Sequence, residues 1–369
     1  MRLPSAGQGR RRPPLSFAAL LAIALGAAPP AWGATGFFAR LDSFSHSEPV
    51  SIAAALNNWQ GHFYGGDTQW SHNWLETGYR RGAWSIAVLY RRDYWLGFDA
   101  DTAELYYRTD HHLPLQAGRR YNVDVTAYAF SARGVRGSWR YRPANGVSLT
   151  WGLSLFNAGD LLDGRMRGQA TALADNDYAY DVSVDYAYAE DKLFDRRVDA
   201  PSGIGASLDA SLVYSPTARL TLRATVIDLL GAIRWKDAPY TRATATSNRQ
   251  GYDDTGYIIV RPAISGVEGD YAHYQQRLEP RVQLEIAPAL SEKLTASLQY
   301  RYQFQQGLFG LGVRTPWREG SAGVLLWPAL SAVGLALRRH GFDVGIALDE
   351  VRRREVRTLW FSIGFNTPR

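Results

Sequence analysis

The strongest pattern in the sequence is an alternation of apolar and polar residues with a period of two. From Tyr178 to Tyr188 every even position is aromatic or aliphatic, and the odd positions between them carry alanine, serine or aspartate. Successive side chains of a strand point to opposite faces, so this segment predicts a strand with one apolar face. Tyrosines stand at both ends of that face and valines between them, which is typical of a strand that crosses a lipid bilayer.

The same alternation recurs along most of the chain. It is found in residues 121–128, 147–154, 204–212, 220–226, 294–303 and 359–365, with Tyr128 as the one exception to the pattern. Short connectors rich in turn formers separate some of these segments, at Pro143–Gly146, Ser215–Ala218 and Leu290–Lys293. Longer polar stretches, Glu190–Ser202 and Lys236–Thr255, are expected to be loops. Short turns at one rim and long loops at the other are typical of an outer-membrane barrel.

These observations predict an all-β fold, a closed antiparallel transmembrane β-barrel over residues 68–366. A strand and its connection take about 20 to 24 residues, which gives about 14 strands, within a range of roughly 12 to 16. The uncharged stretch Gly320–Leu337 is long enough for a spanning helix, but Pro328 lies at its centre. We therefore expect a corner between two short strands there.

The pattern resembles that of Gram-negative outer-membrane β-barrel proteins, over roughly Gln69 to Phe365. The final strand sets Leu359, Phe361, Ile363 and Phe365 on one face, like the closing strand of such barrels. Those proteins usually end on an aromatic residue, whereas four residues follow Phe365 here. The resemblance implies a chain that crosses the periplasm unfolded, is inserted by the outer-membrane barrel assembly machinery, and contacts outer-membrane lipid.

The N-terminal 67 residues do not follow the alternation. Four arginines without an acidic residue precede an apolar stretch that ends in small residues, which predicts a secretory signal peptide over residues 1–33. Residues 34–67 are expected to form an N-terminal extension or plug, with a short helix capped near Ser47 and running towards Trp59. The plug alternative rests on a faint likeness in layout to fatty-acid-transporting barrels, and the periplasmic extension is the simpler alternative.

Composition narrows the function classes. The chain has no cysteine, which removes disulfides and thiolate metal sites from consideration. Removing the four leader arginines from the 41 basic residues leaves 37 against 35 acidic residues, so the mature chain is almost neutral. A nucleic-acid partner therefore has no compositional support.

The polar faces of the predicted strands define a candidate lumen. Charged residues of both signs are expected to line it, namely Asp124, Asp181, Asp185, Asp209, Arg223, Arg281, Glu285 and Arg301. Buried charges must be paired or hydrated, so these residues form either selectivity elements of a pore or a structural network of ion pairs. The mixture of signs argues against strong preference for anions or cations.

A search for enzymatic constellations predicts no catalytic site, no metal site and no cofactor. Ser45 and Ser47 flank His46 on the wrong strand positions for a catalytic pair, and Asp110, His111 and His112 form an ordinary polar loop cluster. The expected function is thus an outer-membrane channel or transport path for a small hydrophilic or amphipathic solute. Two alternatives stay open: a non-conducting barrel that serves export or assembly of envelope polymers or proteins by docking a partner, and an outer-membrane enzyme.

Overall fold

Sixteen antiparallel strands close into one barrel in the computed structural model, which describes residues 35–175, 177–252, 255 and 258–367. The predicted signal peptide lies outside the described residues. The strands are β1 Gly36–Ser47, β2 Thr68–Arg81, β3 Trp84–Phe98, β4 Arg120–Tyr141, β5 Val147–Ala174, β6 Asp177–Tyr188, β7 Ser202–Thr217, β8 Leu220–Tyr252, β9 Ile258–Arg277, β10 Arg281–Ser291, β11 Leu294–Gln303, β12 Gln306–Trp317, β13 Gly320–Trp327, β14 Ala332–Arg339, β15 Phe342–Leu348 and β16 Thr358–Asn366.

The strands occupy 14 positions around the barrel wall. β6 and β7 lie end to end and share one position, since both pair with β5 and with β8. β9 and β10 share another position beside β8. Pairing between β1 and β16 closes the ring. The predicted closed antiparallel barrel of about 14 strands is confirmed.

The first strand begins earlier than the sequence pattern indicated. Gly36–Ser47 pairs with β2 along its whole length and with β16 on its other edge. The prediction that residues 34–67 form an extension or plug is therefore wrong for this stretch. The expected helix exists but is shorter, Ile52–Ala55 (α1) with Ser51 as its N-cap, and it lies in the loop between β1 and β2.

The two rims of the barrel differ sharply in their connections. At one rim, here called the turn rim, short turns join β2 to β3, β4 to β5, β7 to β8, β10 to β11, β12 to β13, and β14 to β15. The opposite loop rim carries the long connections, including α1 and the helix Ala100–Asp110 (α2), together with short ones between β11 and β12 and between β13 and β14. The turns predicted at Pro143–Gly146, Ser215–Ala218 and Leu290–Lys293 all lie at the turn rim. Gly320–Leu337 forms the predicted corner, with Pro328 beginning a short 3₁₀ turn between β13 and β14.

The outer surface of the barrel is apolar near the turn rim and along the strands that rise from it. Exposed aliphatic side chains form a belt that includes Ile86, Val88, Val135, Leu153, Leu155, Leu298, Leu311, Val313, Val324 and Leu335. Exposed aromatic rings flank it near the turn rim, at Trp84, Trp139, Tyr141, Trp151 and Trp317. An aliphatic band with an aromatic girdle is stable in contact with hydrocarbon and lipid headgroups. Within the described residues, no helix is both long and apolar enough to span a bilayer.

One side of the barrel rises well above the rest. β8 has 33 residues and β5 has 28, whereas a tilted strand needs about 9 to 11 to cross a bilayer. We call the extended parts of β4, β5, β6, β8 and β9 the tall wall; it comprises residues 120–129, 160–188, 232–252 and 258–277. It includes much of Lys236–Thr255, which is largely strand rather than the predicted loop.

A row of irregularities separates the tall wall from the strands beneath it. β5 has one extra residue between Gly159 and Leu162, opposite Phe130 of β4, and Asp160 in β5 and Asp228 in β8 have positive φ angles of 54° and 56°. At the same level the wall is interrupted between β6 and β7 and between β9 and β10. An extra residue in a strand reverses the alternation of its side chains. Positions of the parity that faces outward below the extra residue therefore face inward above it.

Residues 177–188 keep the alternation that the sequence predicted. Ala187 belongs to the interior core around Tyr128 and Phe130, and Asp181 and Asp185 lie on the same face of β6 as Ala187. The opposite, tyrosine-rich face is buried by other parts of the chain: Tyr180 packs with Tyr121, Val123, Ala170 and Ala245, and with Leu115 of the segment between α2 and β4. The apolar face that predicted contact with lipid is thus covered by protein in the tall wall.

Candidate functional site: the barrel interior

An aromatic cluster fills the interior towards the loop rim. Phe304 lies in the two-residue turn between β11 and β12, with a φ of 50°, and its ring is 1% exposed. It stacks on Trp95 of β3 at 5.4 Å and contacts Trp70 of β2 and Tyr128 of β4 at 6.0 and 5.6 Å between ring centroids. These partners belong to the opposite side of the barrel, so this turn folds inward and bridges the lumen.

A buried amide joins strands on one side of the barrel that are not neighbours in the wall. Gln276 of β9 is fully buried; its side-chain amide donates hydrogen bonds to the backbone oxygens of Ala129 and Leu162, at 3.3 and 3.2 Å. Its oxygen accepts a hydrogen bond from the indole of Trp235 at 3.2 Å. These bonds join β8 and β9 to β4 and β5 at the level of the irregular row, where a bulge leaves backbone oxygens without strand partners.

Beneath the aromatic cluster lies a layer of buried ion pairs. Arg91 of β3 is 1% exposed and donates from Nη1 to Asp228 Oδ1 at 2.8 Å, and from Nη2 to both Asp228 and Asp93 at 2.5 Å. Arg281 of β10 lies 3.5 Å from the other oxygen of Asp93. The hydroxyl of Ser207 donates to Asp228 at 2.6 Å. Two arginines and two aspartates thereby link β3 to β8 and β10 through the middle of the barrel.

The bulge in β8 is what places Asp228 in this layer. Its backbone N–H donates to Asp209 Oδ1 at 3.0 Å, and the carboxylate points inward instead of following the strand alternation. Asp209 in turn accepts from Arg136 Nε at 3.0 Å, and Arg136 lies 3.4 Å from Glu76. Buried ions are tolerable only when their remaining lone pairs and protons are also bonded, a condition that this network largely meets.

Four buried polar atoms at the edge of the layer have no hydrogen-bonding partner among the described residues. They are His72 Nδ1, Arg281 Nε and both amide atoms of Gln303. All three side chains line a small void of about 10 Å³, which is about the space of one water molecule. His72 Nε2 is paired with Asp42 at 3.0 Å. Because buried polar groups require partners, this void is a site for ordered water.

A much larger cavity occupies the half of the barrel nearer the turn rim; we call it the vestibule. It has a volume of about 570 Å³ and extends from Arg140, Arg338 and Asn366 at the rim to Asp42 and Glu76 beneath the ion pairs. Eight arginines line it, namely Arg40, Arg80, Arg136, Arg140, Arg223, Arg301, Arg314 and Arg338. The acidic residues that line it are Asp42, Glu76, Glu285 and Asp343. The vestibule therefore has an excess of four positive charges.

The arginines of the vestibule are held in part by neighbouring acids and rings. Arg223 Nη1 donates to Glu285 at 2.6 Å, and Arg314 lies 4.0 Å from the other oxygen of the same carboxylate. Arg301 lies over the rings of Trp327 and Trp360, 5.0 and 4.7 Å from their centroids. Such contacts orient a guanidinium while leaving other N–H groups directed into the cavity.

The structure divides the predicted lumen residues into two sets. Asp209, Arg223, Arg281, Glu285 and Arg301 lie in the interior, in the ion-pair layer or the vestibule.

The other three, Asp124, Asp181 and Asp185, lie on the inward-facing side of the tall wall, above the aromatic cluster. The unbroken registers put Asp124 on the same face of β4 as Tyr128, and Asp181 and Asp185 on the same face of β6 as Ala187; Tyr128 and Ala187 both belong to the interior core. Asp124 pairs with Arg167 at 3.6 Å and Asp185 with Arg242 at 3.1 Å, all four largely exposed. These three acids do not line the vestibule, so they do not balance its positive charge.

Several interior residues were missed by the sequence pattern. Phe304 and Gln276 reach strands that are not their neighbours in the wall, and no local spacing indicates which distant strand they contact. Asp228 had a detectable signal, since it interrupts the apolar run Val226–Leu230 in a strand that otherwise alternates. An acidic residue at that point could have indicated a bulge that turns the carboxylate inward.

The loop cluster considered for chemistry forms the end of α2. His111 is the C-terminal cap of that helix; its ring stacks on Tyr107 at 4.1 Å and its Nδ1 lies 2.9 Å from the Tyr107 carbonyl oxygen. His112 follows with a positive φ of 55° and an exposed ring contact to the Asp110 carbonyl oxygen. Over the described ranges, no group of three or more histidine or acidic side chains is placed to hold a metal ion.

Comparison with known proteins gives likeness in structure only. No family profile matches the sequence, and no curated protein matches it. The fold is similar to that of CymD, a monoaromatic hydrocarbon channel (8% identity, TM-score 0.41, covering 90% of this chain and 88% of that one). It is similar to the toluene transporter TodX of P. putida (8%, 0.38, 95% and 92%) and to a FadL homologue of Pseudomonas aeruginosa (9%, 0.27, 90% and 89%). At these values the likeness identifies neither a substrate nor a role.

Proposed function

We propose that this protein is an outer-membrane transport path for a small hydrophilic or amphipathic solute, shut in the present conformation by the contacts across its lumen. The apolar belt and aromatic girdle support insertion in a bilayer. Short turns face the periplasm in bacterial outer-membrane barrels, so the turn rim and the vestibule are periplasmic and the tall wall is extracellular.

We call the aromatic cluster around Phe304 and the ion-pair layer beneath it the barrier. The observation that carries this proposal is a polar track leading out of the vestibule towards this barrier. Gln283 and Arg301 line both the vestibule and the small void beside His72, Arg281 and Gln303. A barrel whose interior served only as a structural core would bury apolar groups there, since polar atoms without partners destabilise a fold. The polar lining continues from the vestibule into the narrow region around the void. This is the arrangement expected of a passage in its closed state.

The turn that carries Phe304 is the element most suited to open this path. The turn is two residues long and reaches the centre of the lumen, whereas the ion pairs beneath it are fixed to three separate strands. Outward movement of Phe304 would expose Trp70, Trp95 and Tyr128, so a solute with an apolar part would find matching surface there.

Current through single molecules in planar lipid bilayers tests the proposal. The wild-type protein is expected to show rare, brief openings, and Phe304→Ala to increase the time spent open several-fold because it removes the bridging ring. Phe309→Ala is the matched control, since that ring is 60% exposed on the outer face of the next strand. Absence of current from correctly folded wild-type protein and from Phe304→Ala alike would refute a passage through the barrel.

A second candidate is a non-conducting barrel that serves as an anchor in export or assembly of envelope components. The contacts inside the lumen favour it, because Arg91, Gln276 and Phe304 each join strands that are not neighbours in the wall. In that case the tall wall, with its exposed charged residues, is the surface for a partner. The same bilayer recording separates the two candidates, since an anchor conducts in neither variant.

A further inference from the structure

The charge and size of the vestibule point to a ligand class. We propose that it is a periplasm-facing binding site for a small solute with two or more negative charges, such as a dicarboxylate or a phosphomonoester. The proposal deepens the transport path above by naming the solute class.

The charge of the cavity is the first step. Its eight arginines face four acids, and the buried layer above does not supply the missing negative charge to any large extent. That layer adds Arg91 and Arg281 against Asp93, Asp209 and Asp228, which is a single further negative charge. A low-dielectric wall around a cavity with one sign of charge concentrates the field and favours ions of the opposite sign.

The arrangement of the arginines is the second step. Arg223, Arg314 and Arg338 lie on β8, β12 and β14, along one side of the vestibule, with Glu285 on β10 between the first two. Glu285 is the one carboxylate that Arg223 and Arg314 both approach, at 2.6 and 4.0 Å. The charges of Arg223 and Arg338 both act on Arg314. Asp343 lies opposite Arg338 on β15, so two carboxylates face these three arginines. An incoming oxyanion would offset the positive charge that remains.

The dimensions of the site are the third step. A volume of about 570 Å³ lies within the range of about 300 to 1,000 Å³ typical of small-molecule sites. Ser85, Ser138, Thr150, Ser321 and Ser362 add hydroxyl groups to the lining. A charged group held by arginines and a hydroxylated wall suit a small hydrophilic anion better than a hydrocarbon chain.

Calorimetric titration of the purified full-length protein in detergent micelles tests the assignment. Succinate and inorganic phosphate are the two probes, and they separate recognition of carboxylates from recognition of phosphate. Propionate carries one negative charge, succinamide is neutral with the shape of succinate, and putrescine is a dication. We expect one or both dianions to bind, propionate to bind more weakly, and the neutral and cationic compounds not to bind. Raising the salt concentration should weaken binding.

Matched variants locate the site. Arg314→Gln with Arg338→Gln halves the excess charge of the vestibule and should weaken dianion binding about tenfold or more. Arg165→Gln with Arg167→Gln makes the same change on exposed residues of the tall wall, which do not line the vestibule, and should leave binding unchanged. Arg314→Lys with Arg338→Lys keeps the charge and should retain most of the affinity, which excludes a folding defect as the cause.

Three results would overturn the assignment. They are equal binding of succinamide and succinate, equal losses in the two glutamine double variants, or no binding of either dianion by folded wild-type protein. Binding is measured without any current through the barrel. If the protein binds dianions but never conducts, the binding site stands and the proposed transport path is refuted.

Discussion

The same barrel wall encloses two interiors of opposite character. Towards the loop rim, inward positions carry Trp70, Trp95, Tyr128 and Phe130, and these rings meet Phe304 from the far side. Towards the turn rim, the inward positions carry serine, threonine, glycine and arginine around a cavity of about 570 Å³. The number of strands sets the width of a barrel, but the wall has the same number of strand positions in both halves. The size and charge of the inward side chains therefore decide whether the lumen is filled or open.

The two halves also differ in how they hold charge. In the barrier, Arg91 is enclosed by two aspartates with almost no exposure to solvent. In the vestibule, Arg223 bonds to Glu285 with 37% of its side chain exposed. Water screens the second pair and not the first, so charges in the barrier stabilise the closed fold while charges in the vestibule are free to respond to a ligand.

Removal of a barrier charge should have the largest effect. Arg91→Met leaves Asp93 and Asp228 without their shared partner, and the free energy of unfolding should fall by about 3 to 5 kcal/mol. Arg223→Met is the matched change in the vestibule and should cost about 0 to 1 kcal/mol, since that pair is partly exposed. Urea unfolding in lipid vesicles measures both. Equal losses would abolish the distinction between the two halves.

Loss of the buried Gln276 amide should have the second-largest effect on stability. Gln276→Leu leaves the indole N–H of Trp235 and the carbonyl oxygens of Ala129 and Leu162 unpaired, so the free energy of unfolding should fall by about 1 to 3 kcal/mol. Gln283→Leu is its counterpart in the hydrated vestibule and should change stability little. If Gln283→Leu proved as costly as Gln276→Leu, the vestibule would be as tightly packed as the barrier.

The smallest effect is expected on the exposed part of the tall wall. Asp181→Asn with Asp185→Asn removes two exposed carboxylates, so stability should change by less than about 0.5 kcal/mol. In the Phe304→Ala background, the reversal potential in a salt gradient should also change little, because both carboxylates lie in open water above the aromatic cluster, where salt screens them. A clear shift towards anions would place both residues in the narrow part of the permeation path.

Much of the fold follows from the sequence because lipid on the outside imposes a simple alternation. The outward positions of Leu153, Ile204, Leu298 and Leu359 were all predicted, and each is exposed in the barrel. β1 was not predicted, because its outward face mixes Phe37 with serines instead of repeating large apolar residues.

The interior was harder to predict for two physical reasons. The alternation puts Asp124, Asp181 and Asp185 on the inward-facing side, but it does not show that the unusual length of β5 and β8 carries them above the enclosed lumen. The contacts that close the lumen join residues far apart in the chain, as Arg91 and Asp228 are. Their pairing depends on which strands face each other across the barrel, which a local pattern does not contain.

The height of the tall wall has a consequence for the cell surface. With β8 about three times as long as a crossing strand needs, this side of the barrel stands far out from the headgroups while the opposite side ends close to them. In the orientation proposed above, the projecting sheet is the part of the molecule that reaches furthest into the aqueous phase. Its inward-facing side, with Asp124, Arg167, Asp185 and Arg242, then forms a charged screen above the closed lumen on one side only.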